Sequence, residues 1–256
     1  MTSYMGKHAD FYDLFYSDKD YKSEAAFIHQ CLQKYSLNPP PEKILELASG
    51  TGSHAFELEK WGYQIVATDY SEDMLKCAQN KAKKLSSLIN FRIQDMRELD
   101  IPERPFDAVI CLFDSIGYVI TNDALQQVLQ NVHRHLRKGG LFIFEFWHAP
   151  AMLKNYDPLR VRKWKTTEGE IIRISETTLD VARQVGTVKY SILELKNSGT
   201  FSKIEEIQEN RFFLVQEMCM WLTQNNFEPL KIFAGYTDEE KISSDTWHIV
   251  AVARRK

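Results

Sequence analysis

The sequence predicts an α/β fold: a Rossmann-like, seven-stranded, mostly parallel sheet with an antiparallel β-hairpin region inserted late in the chain. Three observations predict it. An apolar run, Ile44, Leu45 and Leu47, meets a glycine turn, Ser49-Gly50-Thr51-Gly52, and then a helical face of Ala55, Phe56 and Leu58. Apolar runs then alternate with amphipathic helical patterns as far as Trp147, the rhythm of a parallel sheet with helices on both faces. Between Arg160 and Phe213 that rhythm stops, and extended runs follow one another with only turn residues between them.

The chain begins with an aromatic stretch (Tyr4, Phe11, Tyr12, Phe15, Tyr16), too aromatic for a disordered tail and expected to fold over another element. Ala25, Ile28, Leu32 and Tyr35 recur at helical spacing, so a helix is expected over 21–35, ended by Asn38 and three prolines. After the opening strand, turn and helix, Gln64–Asp69 reads as a second strand. Ser71 then caps a helix whose Met74, Ala78, Ala82 and Leu85 share a face. Ile89–Gln94 and Phe106–Leu112 are the third and fourth strands. A long helix over Leu125–Leu136 is expected to carry Arg137 and Lys138 in its last turn and to stop at Gly139, before a fifth strand, Leu141–Phe146. The four extended runs lie around 161–165, 170–179, 187–195 and 204–213. Val215, Met218, Cys219 and Leu222 restore a helical face, and Phe227–Phe233 and Trp247–Ala253 supply two closing antiparallel strands.

With 256 residues and 44% hydrophobic content the chain can bury one substantial core, so it is read as one domain in four parts. These are an N-terminal helical cap (1–40), a cofactor-binding core (41–147), the β insertion (148–213) and a closing helix with strands (214–256). The net charge of −3 argues against a nucleic-acid partner, and no basic run exceeds Arg254–Lys256. No leader-like N-terminus and no apolar window of about 18 residues is present, so a cytoplasmic protein without a membrane partner is expected. Cys31, Cys77, Cys111 and Cys219 are scattered and read as buried thiols. No Cys/His cluster suggests a metal. His8, His29, His54 and His248 show no ligand spacing, and His133 and His135 fit a helix C-terminus.

Gly50-x-Gly52-x-x-Ala55 followed by Asp69 also satisfies a relaxed dinucleotide fingerprint, so an NAD-dependent oxidoreductase is the remote alternative. Glu46 discriminates. A carboxylate facing the glycine turn would repel a pyrophosphate. It suits S-adenosyl-L-methionine, which has no phosphate and brings an ammonium and a sulfonium close to that turn. Asp69 can then accept from both ribose hydroxyls and Asp95 from the adenine amine, with the Met96 amide donating to the ring and Met74 in apolar contact.

Through E46-LAS-G50-T-G52, D69 and Q94-D95-M96, the chain over 41–147 resembles the class I S-adenosylmethionine-dependent methyltransferases. More narrowly it resembles the bacterial dTDP-amino-sugar N-methyltransferases, through FYDLFY at 11–16, KDYKSEA at 19–25, DMREL at 95–99, FDAVICLFDSIGYV at 106–119 and EFW at 145–147. That resemblance implies a cofactor set of Tyr16, Tyr21, Glu46, Ala48, Ser49, Gly50, Gly52, Asp69, Tyr70, Met74, Asp95, Met96 and Leu112. It also implies Tyr12 near the acceptor. Family members read S-S-I-G-H where this chain has Asp114-Ser115-Ile116-Gly117-Tyr118, and their glycine-rich C-terminal loop is replaced by Thr237–Thr246 with Asp238, Glu239, Glu240 and Asp245.

Methyl transfer from a sulfonium is an in-line displacement that needs a neutral nucleophile held against the methyl group. Tyr12, Asp114, Tyr118 and His148 are therefore the candidates to orient an amine or take its proton. The expected reaction is N-methylation of a small amine such as an amino-sugar nucleotide, with small-molecule O-methylation or glycine-type N-methylation as alternatives. The β insertion is expected to shape acceptor choice or to pair two copies of the chain as a homodimer.

Overall fold

The computed structural model describes residues 7–239 and 241–256, with the side chains of Lys7 and His8 left out; Tyr4, the imidazole of His8 and Glu240 lie outside the described residues. The chain runs α1 (Lys7–Phe15), α2 (Tyr21–Tyr35), β1 (Lys43–Leu47), α3 (Ser53–Glu59), β2 (Gln64–Asp69), α4 (Glu72–Leu85), β3 (Asn90–Ile93), β4 (Phe106–Cys111), α5 (Asn122–His135) and β5 (Leu136–Trp147). It continues through α6 (Ala149–Asn155), β6 (Leu159–Thr166), β7 (Gly169–Asp180), β8 (Val185–Lys196), β9 (Phe201–Arg211), α7 (Val215–Gln224), β10 (Phe227–Ala234) and β11 (His248–Arg255).

Seven strands form one sheet in the order β10-β11-β5-β4-β1-β2-β3. The pairs among β1 to β5 are parallel, and β11 enters antiparallel between β5 and β10. The helices start where short polar side chains catch their first amides. Asp20 accepts from the Ser23 N–H, Ser71 from the Met74 N–H and Thr121 from the Ala124 N–H. Apolar faces then pack on both sides of the sheet. One core holds Phe142, Phe144 and Phe146 with Leu125, Val128 and Val132 of α5, and the other holds Ile28 and Leu32 of α2 with Ile44, Ile110 and Ile143. Because strands β1, β2, β4 and β5 are covered on both faces, they read as continuous apolar runs, and the few acids within them stand out.

The hairpins form a second, four-stranded antiparallel sheet, β6-β7-β8-β9, opened by the short helix α6, whose pattern is not evident in the sequence. One boundary differs from the expected one. Helix α5 ends at His135, four residues before Gly139, and Arg137, Lys138 and Gly139 lie in β5. Two specific interactions draw the chain away from the helix. Asp107 of β4 takes the Arg137 guanidinium at 2.6 Å, and His135 is locked neutral as its Nδ1 donates to the Asn131 carbonyl and its Nε2 accepts from the Ile101 amide. Burial holds the His133 and His135 imidazoles below their ordinary value, which disfavours the charged form expected to meet the helix dipole. All four cysteines are free thiols, Cys31 and Cys111 buried and Cys77 and Cys219 half-buried. Among the described residues, no helix is long and apolar enough to cross a membrane.

Candidate active site

At the C-terminal ends of the parallel strands lies a cavity of about 1070 Å³, with α1 and the loop after it on one side and the second sheet on another. This is the crevice at which open α/β sheets bind ligands.

The glycine turn forms its floor. Leaving β1, the chain takes positive φ at Ala48, Gly50 and Gly52, and Gly52 then caps α3 in the left-handed conformation. A Cβ on Gly52 would sit 2.9 Å from the Phe91 ring, so only glycine lets the turn lie this close to β3. The turn is registered on β2 by two bonds, Ser49 N–H to the Thr68 carbonyl and Gly50 N–H to Asp69 Oδ2 at 2.8 Å. Asp69 Oδ1 accepts from the Ser71 amide. Burial lifts the Asp69 carboxyl to about 6 against these amides, which favour its ionised form.

Glu46 is 2% exposed and borders a side cleft with Tyr21, Ser49, Thr51, His54 and Leu112. Its Oε2 has no hydrogen-bond partner among the described residues. Burial, followed by the neighbouring Asp69, pushes it up to about 8. An unpaired carboxyl at that depth costs free energy until a cationic donor reaches it. Asp95 caps a 3₁₀ turn, Met96–Glu98, and is bonded through both oxygens to Arg97.

Tyr12, Tyr16, Tyr70, Met74, Met96, Asp114 and Tyr118 also line the cavity, whereas His148 does not. His148 is buried, caps α6, and shares Nδ1 with the Thr246 carbonyl at 3.0 Å, with burial holding its imidazole low. Tyr12 packs tilted against Tyr16 at 4.8 Å, and Tyr16 meets Phe113 edge-on at 5.0 Å, so α1 closes over the turn through aromatic contacts.

Asp114 is buried and left-handed (φ 56), as is Phe113 before it (φ 54). Two successive non-glycine residues in that region cost roughly 1–3 kcal/mol each and persist only where the surroundings dictate them. Here the Phe113 N–H donates to Glu145 Oε2 at 2.7 Å, and the Asp114 carbonyl accepts from the Gly117 amide and Asn210 Nδ2.

Three groups at or behind the cavity wall were not singled out by sequence reasoning. Glu145 of β5 is 1% exposed and also accepts from the Tyr236 hydroxyl at 2.6 Å. His248, at the start of β11, places Nδ1 2.9 Å from Asp114 and 3.0 Å from Glu145. The signal for Glu145 was a lone acid in the apolar run FIFEF, the same signal that marks Glu46 in KILEL. Arg173 of β7 is 7% exposed, ringed by Phe15, Trp164, Tyr16 and Tyr190 at 4.7 to 5.5 Å. Its Nη1 has no partner among the described residues. Nothing in an alternating strand distinguishes such an arginine from its exposed neighbours Arg160 and Arg162.

Residues 44–140 match the family described as Methyltransferase domain. The chain is 29% identical over 206 residues to the dTDP-4-amino-2,3,4,6-tetradeoxy-D-glucose N,N-dimethyltransferase of Saccharopolyspora spinosa, covering 79% of each chain. It is 34% identical over 145 residues to the dTDP-3-amino-3,4,6-trideoxy-alpha-D-glucopyranose N,N-dimethyltransferase of Streptomyces venezuelae, covering 56% of this chain and 58% of that one. A solved S-adenosylmethionine-dependent methyltransferase from Clostridium acetobutylicum superposes over 97% of this chain and 98% of its own, with a TM-score of 0.82 and 25% identity.

Proposed function

This chain is an S-adenosylmethionine-dependent methyltransferase, and on that premise we propose that it methylates the amine of a small anionic acceptor, an amino-sugar nucleotide being the class that fits best. One observation carries the acceptor: a single cavity holds a buried carboxylate, Asp114, and a buried guanidinium, Arg173, whose Nη1 has no partner among the described residues. Asp114 suits an amine. Arg173 suits a phosphate, whereas Arg160 and Arg162 on the same wall are each paired with an acid, Asp157 and Asp18. The names of the two sugar-methylating relatives agree with that chemistry.

Glu46 fits the cofactor's ammonium, since its unpaired Oε2 gains there the cation it lacks. Asp69 fits the ribose hydroxyls, and Met74, Tyr70, Asp95 and Met96 border the base. Bound there, the cofactor supplies an electrophilic methyl group. Tyr12 and Tyr118 orient the acceptor amine, and Asp114 takes the proton that an ammonium must lose before its lone pair can attack.

Turnover of a dTDP-amino sugar should exceed that of glycine or sarcosine at equal concentration, measured as thioether product. Arg173→Leu should raise KM for the sugar nucleotide roughly 10- to 150-fold, the 1.5–3 kcal/mol of a hydrogen bond to a charged group, with kcat little changed. Equal turnover of glycine or sarcosine, which carry a carboxylate but no diphosphate, would overturn the sugar-nucleotide reading.

Glu46 gives a pH test. Its folded value, about 8, lies above the ordinary 4.5, so the protonated acid favours the folded chain. That stabilisation is full below about 4.5 and is lost as pH rises through 8, so the cofactor-free melting temperature should fall across this window. An ammonium ligand prefers the ionised form, so cofactor affinity should rise over the same window. Glu46→Gln should bind more weakly and remove the part of the slope above pH 6, leaving the part that Asp69 sets, as read by calorimetry.

A further inference from the structure

We propose that His248 and Glu145 are positioning residues for Asp114: the imidazolium clamps one oxygen of the Asp114 carboxylate and leaves the other for the acceptor amine. The inference rests on the reading of Asp114 as the acceptor-side carboxylate.

Three features of the geometry point to it. First, the contacts divide the Asp114 carboxylate: Oδ2 lies at ion-pair distance from His248 Nδ1, 2.9 Å without hydrogen-bond alignment, whereas Oδ1 is buried without a partner among the described residues. A carboxylate that served only to neutralise the histidine would have its second oxygen satisfied by the protein or by solvent. Second, Glu145 holds both halves of the arrangement. Its Oε1 is 3.0 Å from the same imidazole nitrogen, and its Oε2 takes the Phe113 amide, which fixes the left-handed turn that carries Asp114. Third, Asp114 and His248 both line the cavity whereas Glu145 lies behind them, so the paired groups stand side by side at the wall of the acceptor space.

The charges around the cluster come from several elements. Glu145 belongs to β5 and His248 to β11. Lys19, from the α1–α2 connection, pairs with Glu24 and lies over the Phe113 ring at 4.3 Å, and Tyr236 follows β10. The Asp114 charge pushes His248 up to about 11, against its burial. Burial and Glu145 raise Asp114 to about 6, with His248 and Lys19 limiting the rise. The pair is thus imidazolium and carboxylate at neutral pH. Removing the imidazolium should raise the carboxyl further and neutralise it where the enzyme works.

The test has two arms on the full chain. In protein labelled with ¹⁵N-histidine, His248 is expected to stay doubly protonated beyond pH 9 and to drop by at least two pH units in Asp114→Asn. A wild-type His248 that titrates near its ordinary 6.5 overturns the clamp whether or not an acceptor has been found. A clamped His248 in a protein that methylates no amine supports the clamp and overturns the acceptor reading instead. In the kinetic arm, His248→Ala should lower kcat at least tenfold at pH 7 with cofactor affinity unchanged. It should also move the acid limb of the kcat profile up by at least one unit, and imidazole in solution should restore part of the rate. A uniform loss with no movement of that limb would reduce His248 to a structural role. Loss of activity with EDTA, restored by Mn²⁺, would show that the same three ligands hold an ion and would overturn the proposal.

Discussion

Asp114→Asn is expected to lower kcat for the amine acceptor by roughly 10²–10⁴, the usual contribution of a positioned proton acceptor. The substitution keeps shape and conformation, because asparagine tolerates the left-handed region that residue 114 occupies at φ 56. The carbonyl bonds to Gly117 and Asn210 are also untouched. What is lost is the charge, so cofactor affinity should stay within twofold by calorimetry while single-turnover methylation slows. If the rate falls less than tenfold, proximity supplies most of the acceleration and the proton leaves by water.

The second large effect is expected at Gly117. A Cβ there would lie 1.9 Å from Asn210 Oδ1, 2.6 Å from Asn210 Cγ and 2.8 Å from the Arg211 carbonyl. The side chain of Asn210 could turn away, but the backbone of β9 could not. Gly117→Ala should therefore push the second sheet off the acceptor loop. We expect a loss of 1–3 kcal/mol in stability, as for other overpacked sites, together with roughly 100-fold in kcat/KM, the cost of about 1 Å of misplacement at a reacting group. Cofactor binding should survive, since the glycine turn lies elsewhere. Adding Asn210→Ala should recover part of the stability but not the Arg211 contact, so incomplete rescue in a double-mutant cycle is the expected signature.

The parallel half of the fold was legible because buried strands and amphipathic helices write themselves as apolar periodicity. Glu46 was legible for the complementary reason: an acid inside such a run has no packing role. The same reasoning applied to FIFEF would have flagged Glu145. His248 was not legible, since its meaning comes from residues 103 and 134 positions earlier that only the sheet order brings to it. Arg173 was hidden for a different reason: an alternating strand in a second sheet carries no mark of which face meets the cavity. The end of α5 was misplaced because local capping signals at Gly139 lost to two long-range interactions, at Asp107 and at Ile101.

Strand β11 enters the sheet last in sequence but near its middle in space, between β5 and β10. The cofactor half, with its glycine turn and acids, is encoded by residues that leave the ribosome well before it. During synthesis a chain can therefore present every cofactor-binding group while β5 still has an open edge and Asp114 still lacks its imidazolium. Competence to transfer a methyl group arrives in one late step, with the insertion that closes the sheet, so the unfinished protein holds its electrophile without the means to spend it.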